Sequence, residues 1–230
     1  MKFKLGIGFA AVFLTSLAFG TIDAYTFKST PKEGDVLKYK QAAKLDLNGM
    51  EIDFSATSTR KIVKVDAAGT FTVKEDLADM KVNGQEPPEG AGPSGSTITF
   101  TNKGELVKLE GDHVDDSAYR TSNLELFVLP DKPVNPNDTW SYEFKENKTT
   151  GAVAGKATYT FVGDDKVGTV DVVKVKYLVK ETGDSGASSE GFIWIRKADG
   201  AMVKLTSKWV NVPIAGVGPI SGDVTVTLIQ

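Results

Sequence analysis

From Tyr25 onward, apolar and polar residues alternate with a period of two, broken at short intervals by turn residues. That rhythm predicts antiparallel β-structure. Between Leu37 and Leu47 the odd positions are mostly apolar and the even ones mostly charged or polar. Asn48-Gly49 follows, a strong hairpin signal because a type I′ turn needs positive φ at both central residues. Met50, Ile52, Phe54 and Ala56 then alternate with Glu51, Asp53 and Ser55, and Ala67-Ala68-Gly69 turns the chain into Phe71 and Val73. The most regular strand sets Val173, Val175, Tyr177 and Val179 against Lys174, Lys176 and Lys180, the pattern of a sheet wet on one side. Phe192 to Ile195 is apolar on both faces, which predicts cover on both sides.

Helical periodicity is nearly absent. Asp116-Ser117 can cap a short turn through Arg120, and Asp76 to Met80 can form another, but no stretch sustains a 3.6-residue period. A doubly wound α/β fold needs long crossover helices and is excluded. Two Gly-rich segments, Asn83–Gly95 and Glu181–Gly191, interrupt the strands and read as loop excursions.

Self-comparison pairs two landmarks. Gly34-Asp35-Val36-Leu37-Lys38-Tyr39 resembles Asn137-Asp138-Thr139-Trp140-Ser141-Tyr142, and Gly104 to Leu109 resembles Gly200 to Leu205. The strand openings lie behind Pro31 and Pro136. Residues 25–129 and 130–230 are therefore expected to form two related halves, with Pro130 to Pro136 as a connector poor in regular structure. Paired halves would bury their apolar faces against one another. The expected class is all-β: antiparallel meander or hairpin sheets in two related halves, a sandwich or a curved half-barrel, with little helix.

The first 24 residues break this pattern. Lys2 and Lys4 precede an apolar run from Leu5 to Gly20, the layout of a secretory signal peptide. The run falls short of the ~20 apolar residues of a membrane span, so no stable span is expected after signal removal. Cleavage is expected after Ala24, with Gly20 as the other small-residue position. No Cys follows the run for lipid attachment. The address is export, periplasmic or extracellular, in a bacterium.

Composition narrows the chemistry. The 230 residues are 40% hydrophobic and 25% charged, a globular balance. A net charge of -3 gives no basic footprint for nucleic acid. With no Cys, disulfides, thiolate metal sites and thiol nucleophiles are excluded. The one His, His113, sits among Asp112, Asp115 and Asp116. That cluster lacks the spacing and glycine of a calcium loop and reads as a solvated turn. No nucleophile elbow, phosphate-cradling loop or dinucleotide fingerprint occurs. Trp140, Trp194, Trp209 and Phe192 read as core. No catalytic residue, metal ligand or cofactor is expected.

The leader, the Gly-Asp-x-apolar-x-Tyr opening, Leu129 to Trp140 and Gly200 to Leu205 together resemble uncharacterised exported all-β proteins of bacteria. The resemblance implies fold and export, and it implies no activity. More distantly, the style is similar to envelope lipoprotein-carrier sheets, with no residue-by-residue match. The expected function is a non-catalytic exported module, acting by binding or structural contacts on a protein or envelope component. The alternative is a carrier or sequestering protein for lipid or another apolar ligand. Cavity volume separates the two, since a carrier needs an apolar cleft of some hundreds of Å³. Exported protein is expected to begin at or near Tyr25; intact Met1 on secreted material, read by mass spectrometry, would refute the leader.

Overall fold

The structure, a computed structural model, describes residues 24–87, 95–112, 114–183 and 186–229. The leader apart from Ala24, His113 and the middle of the Asn83–Gly95 loop lie outside the described residues. In chain order the elements are β1 (Val36–Leu47), β2 (Met50–Val65), β3 (Phe71–Val82), β4 (Ser96–Phe100), β5 (Leu106–Gly111), α1 (Asp116–Leu124), β6 (Thr139–Phe144), β7 (Gly155–Val167), β8 (Val170–Glu181), β9 (Ser188–Arg196), β10 (Met202–Ile214) and β11 (Gly218–Leu228). They form one antiparallel sheet of eleven strands in the order β5-β4-β3-β2-β1-β11-β10-β9-β8-β7-β6. The class is all-β; the sheet is open, since β5 and β6 stand at opposite edges.

Local chemistry sets the hairpins. Asn48 and Gly49 have φ of 54° and 88°, the type I′ signature, and place Leu47 opposite Met50. Four sequence expectations shift. Asp76 to Met80 lies inside β3 rather than in a helical turn, because its backbone pairs with β2. The helix begins at Asp116 but runs to Leu124, capped by Asp115, whose carboxylate accepts from Ala118 N–H at 3.1 Å. Residues 188–191 open β9 instead of completing a loop excursion. Among the described residues no second layer covers Phe192 and Trp194; Lys174 Nζ lies 4.3 and 4.9 Å from their ring centroids and Lys204 Nζ 5.0 Å from Trp194. Lysine stems shelter those rings while the ammonium groups stay in water.

The two meanders, β1–β5 and β6–β10, pair in matching register. Ile62, Val73, Ile98 and Leu109 are successive partners across β2 to β5, as Phe161, Val175, Ile193 and Leu205 are across β7 to β10. Register shifts follow Ile62 in one and Phe161 in the other. Both meanders open on the same turn. Lys32 N–H donates to the Asp35 carboxylate at 2.9 Å and Asn135 N–H to that of Asp138 at 2.7 Å. Tyr39 and Tyr142 sit on the first strands, Leu109 and Leu205 on the fifth.

One face of the sheet carries the core, and among the described residues the connection from β5 to β6 covers most of it. From β5 the chain runs through α1 and an extended strap, residues 125–138, to the far edge at β6. Arg120 clamps the helix to β8 through a two-pronged ion pair with the buried Glu181, at 2.8 and 2.6 Å. Thr121 Oγ1 donates to Pro213 O at 2.5 Å. Leu124, Leu126 and Val128 then press onto Tyr159, Val175 and Tyr177, all buried. Tyr159 ties the strap down, its hydroxyl donating to Leu126 O at 2.7 Å and accepting from Val128 N–H at 3.3 Å. Trp140 stacks on that ring and donates to Val128 O at 2.8 Å. The proline-containing connector is thus part of the core lid, with Val134 buried and paired to Tyr25.

Close packing here has a measurable consequence. Val175 is fully buried, and Val175→Ala should lower stability by on the order of 1–3 kcal/mol through lost burial and an unfilled void. Chemical denaturation reads this; a loss below about 0.5 kcal/mol would mean that the interior under β8 is not close-packed.

Candidate functional site

The cover does not extend over both meanders. Helix α1 packs mainly on β10 and β8, so among the described residues the inner face of β1–β5 is met by the edge of the helix, the start of the strap and the segment Ser29 to Pro31. Residues at matched register show the difference. Val173, Val179, Ile193 and Ile195 are buried in the second meander, whereas their counterparts Phe71, Leu77, Ile98 and Phe100 are only half-buried. Between them lies a cavity of about 750 Å³, within the size range of small-molecule sites.

The lining is mainly apolar: Leu37, Ile62, Val73, Leu77, Ile98 and Phe100 from the sheet, with Phe127 from the strap. Gly104 lets the strap approach, because its φ is +91° and a Cβ there would stand 2.4 Å from Phe127 O. Phe71 and Phe100 form a tilted ring pair with centroids 5.5 Å apart.

Six charged side chains line this space: Arg196 and Asp199 pair with each other at 2.9 and 2.7 Å, Asp35 is exposed, and the remaining three are Arg60, Glu75 and Glu125. Arg60 on β2 and Glu75 on β3 are direct cross-strand partners, with Arg60 Nε 3.0 Å from Glu75 Oε1. The guanidinium lies over the Tyr39 ring at 5.2 Å, and Tyr39 donates to Met202 O at 3.1 Å. Glu125, the C-cap residue of α1, also lines the cavity. Glu125 is half-buried, at the wall of the cavity. Among the described residues its carboxylate makes no hydrogen bond and no ion pair within 4.0 Å. Burial pushes it up to about 7, with Arg60 pulling it down and Glu75 raising it further. Burial opposes the Arg60 charge as well, but Glu75 holds the guanidinium above its ordinary range.

Strand phase is the signal that marks two of these residues. On β2, Phe54, Ala56, Ser58 and Ile62 share the inward phase with Arg60; on β3, Phe71, Val73 and Leu77 share it with Glu75. A charge on the apolar phase of an alternating strand is visible in the sequence, though reading the strands for fold class alone passes over it. Glu125 carries no such mark, because its place depends on where the helix ends.

The other candidate groups fall elsewhere. Asp115 is a helix cap whose carboxyl is held low, first by the Ser117 hydroxyl and also by Ala118 N–H. Among the described residues no cluster of His, Cys, Asp and Glu suits a metal ion. Trp140 and Trp209 belong to the core or its margin, and Trp194 donates to Asp165 at 2.8 Å on the outer face.

No family model matches the chain and no curated protein matches it in sequence. Among solved structures it is similar to a candidate exported protein with a YmcC-like fold from Bacteroides fragilis, at 15% identity and a TM-score of 0.42, covering 90% of this chain and 99% of that one. DynF from the dynemicin biosynthesis pathway of Micromonospora chersina matches at 8% identity and a TM-score of 0.23, covering 91% of this chain and 85% of that one. A DUF1329 family protein from Desulfovibrio piger matches at 10% identity and 0.20, covering 86% and 85%. None of these similarities lends the chain a ligand or an activity.

The Glu125 shift fixes a pH dependence of stability. Its folded value lies above the ordinary value of 4.5, so between those values the folded state binds up to one more proton than the unfolded state. Stability is therefore expected to fall as pH rises from about 4.5 to about 7, by on the order of 3 kcal/mol from this group. Glu125→Gln should remove that fall. Denaturation curves at pH 5 and pH 8 check this; an unchanged difference in the variant would show that Glu125 is not the titrating group.

Proposed function

We propose that this chain is an exported, non-catalytic binding protein that carries or sequesters an apolar or amphipathic small molecule under its first meander. The observation that supports this most directly is the cavity of about 750 Å³, with an apolar wall and a few converging polar groups. That is the usual composition of a small-molecule site. The contrast inside one chain strengthens it. The same strand framework is filled at the second meander, so the hollow is not a general property of the sheet. The lysine-flanked apolar run from Leu5 to Gly20 supports export. No helix among the described residues is long and apolar enough to cross a membrane.

Binding fits the cavity's chemistry better than catalysis does. Neither Glu75 nor Glu125 hydrogen-bonds a serine, threonine or tyrosine hydroxyl among the described residues, as a base activating a nucleophile would. The packed second meander then serves as the rigid wall against which the first holds its ligand.

Nile red, a neutral apolar dye, tests the reading. Purified mature protein should take up one equivalent with enhanced fluorescence. Ile98→Trp, which puts bulk into the middle of the cavity, should abolish uptake while circular dichroism stays unchanged. Val175→Ala should retain it. No saturable uptake by the wild type would defeat the carrier reading.

A further inference from the structure

The polar end of the cavity has an unbalanced set of charges. Arg196 and Asp199 neutralise each other and Asp35 is exposed, while Arg60 faces two carboxyl groups, Glu75 at 3.0 Å and Glu125 beyond ion-pair distance. Ionised together, the three carry one excess negative charge, with Glu75 mostly shielded and Arg60 partly open to solvent. Three features oppose a charge on Glu125: its partial burial, its proximity to Glu75, and its position at the C-terminus of α1, where the helix dipole disfavours an anion.

The fold itself does not require charges here. At matched register, where β2 and β3 bring Arg60 opposite Glu75, β7 and β8 bring Tyr159 opposite Tyr177. That pair is uncharged and buried, with hydroxyls bonded to the strap and to Ser189. The same strand geometry is thus satisfied by neutral residues in one meander and by an ion pair in the other. Replacing an ion pair by packed neutral side chains is often neutral or stabilising, so stability gives no reason for the charged version.

We infer that the cavity takes a single-chain amphiphile with a cationic head, the head seated between Glu125 and Glu75 and the tail along the apolar wall of β3 and β4. This rests on the carrier reading and names its ligand class. A cation brings the four charges to balance: two carboxylates, Arg60 and the ligand. An anionic head would meet Arg60 already paired and would add a third negative charge beside two carboxyl groups. Phe71 and Phe100, partners across β3 and β4 and four residues along from Glu75 and Ser96, line the path of the tail. Binding is coupled to protons, because the head needs Glu125 ionised. The titratable and charged groups that act on this carboxyl are Arg60, Glu75 and Tyr177; Tyr39 lies beyond Arg60 with the Arg196–Asp199 pair near it, and exposed Asp35 also lines the cavity. Burial pushes Tyr177 up to about 12 and raises Tyr39 as well, so neither ionises near neutrality, and Arg60 stays charged.

Displacement of Nile red by three twelve-carbon probes separates the possibilities: dodecyltrimethylammonium, dodecanoate and dodecanol. At pH 8 the ammonium probe should displace the dye at a concentration at least tenfold below that of dodecanoate. At pH 6 its affinity should fall by about tenfold as Glu125 takes up a proton, while that of dodecanol stays constant. Glu125→Gln should remove both the preference and its pH dependence and leave dodecanol binding intact. Dodecanoate binding as well as or better than the ammonium probe would overturn the inference and leave the carrier reading standing. So would a preference that survives Glu125→Gln. Failure of both Nile red and dodecanol to bind would defeat the carrier reading itself, and this inference with it.

Discussion

A single sheet of eleven strands with one apolar face needs a cover, and among the described residues the connection from β5 to β6 supplies most of it, helped by Tyr25 and Phe27 ahead of β1. That constraint organises the molecule. The segment leaving β5 must cross the whole inner face to reach β6 at the opposite edge, and it carries α1 and the strap as it goes. The corresponding exit from the second meander, between β10 and β11, is a tight turn at Ala215 to Val217 with no helix. One meander therefore receives helix and strap, and the other receives their margin.

The anchors explain which side is covered. Arg120 grips Glu181 at the end of β8, Thr121 reaches Pro213 on β10, and Tyr159 holds the strap by both its hydrogen-bonding directions. Each fixes the cover over the second meander. A buried tyrosine hydroxyl without these partners would be costly, so tying the strap down and filling that half are one event. Over the first meander the contacts are fewer: Tyr119 exchanges hydrogen bonds with Leu109 at 3.1 and 3.2 Å, and Leu129 N–H reaches Lys103 O at 2.9 Å. These fasten the rim and leave the middle open.

An open, apolar middle is where charge has its largest effect. In the low-dielectric space under β2 and β3, one guanidinium and two carboxyl groups interact more strongly than they would at the surface. The same trio on the outer face, like the exposed pair Lys74 and Asp76, would contribute little to stability or selectivity. Architecture and site are thus linked: the missing cover makes the hollow, and the hollow gives Arg60, Glu75 and Glu125 their influence.

The sequence by itself determined the class and the strand faces, because period-two alternation and turn residues are local properties. Asn48-Gly49 forces its hairpin whatever surrounds it, and Val173 to Val179 declare their inward side against three lysines. The matching strand openings at Asp35 and Asp138 are local in the same sense. Only the tertiary structure decided that the strands join one open sheet rather than two facing ones, since β1 pairs with β11 across nearly the full length of the chain. It also decided that, among the described residues, Phe192 and Trp194 are sheltered by lysine stems and not by a second layer. The cavity belongs wholly to this level. Its volume is set by where α1 comes to rest, and that depends on partners as distant in sequence as Arg120 and Glu181. Arg60 and Glu75 could be suspected from their phase, but Glu125 could not, because its carboxyl meets them only through the long-range path of the strap.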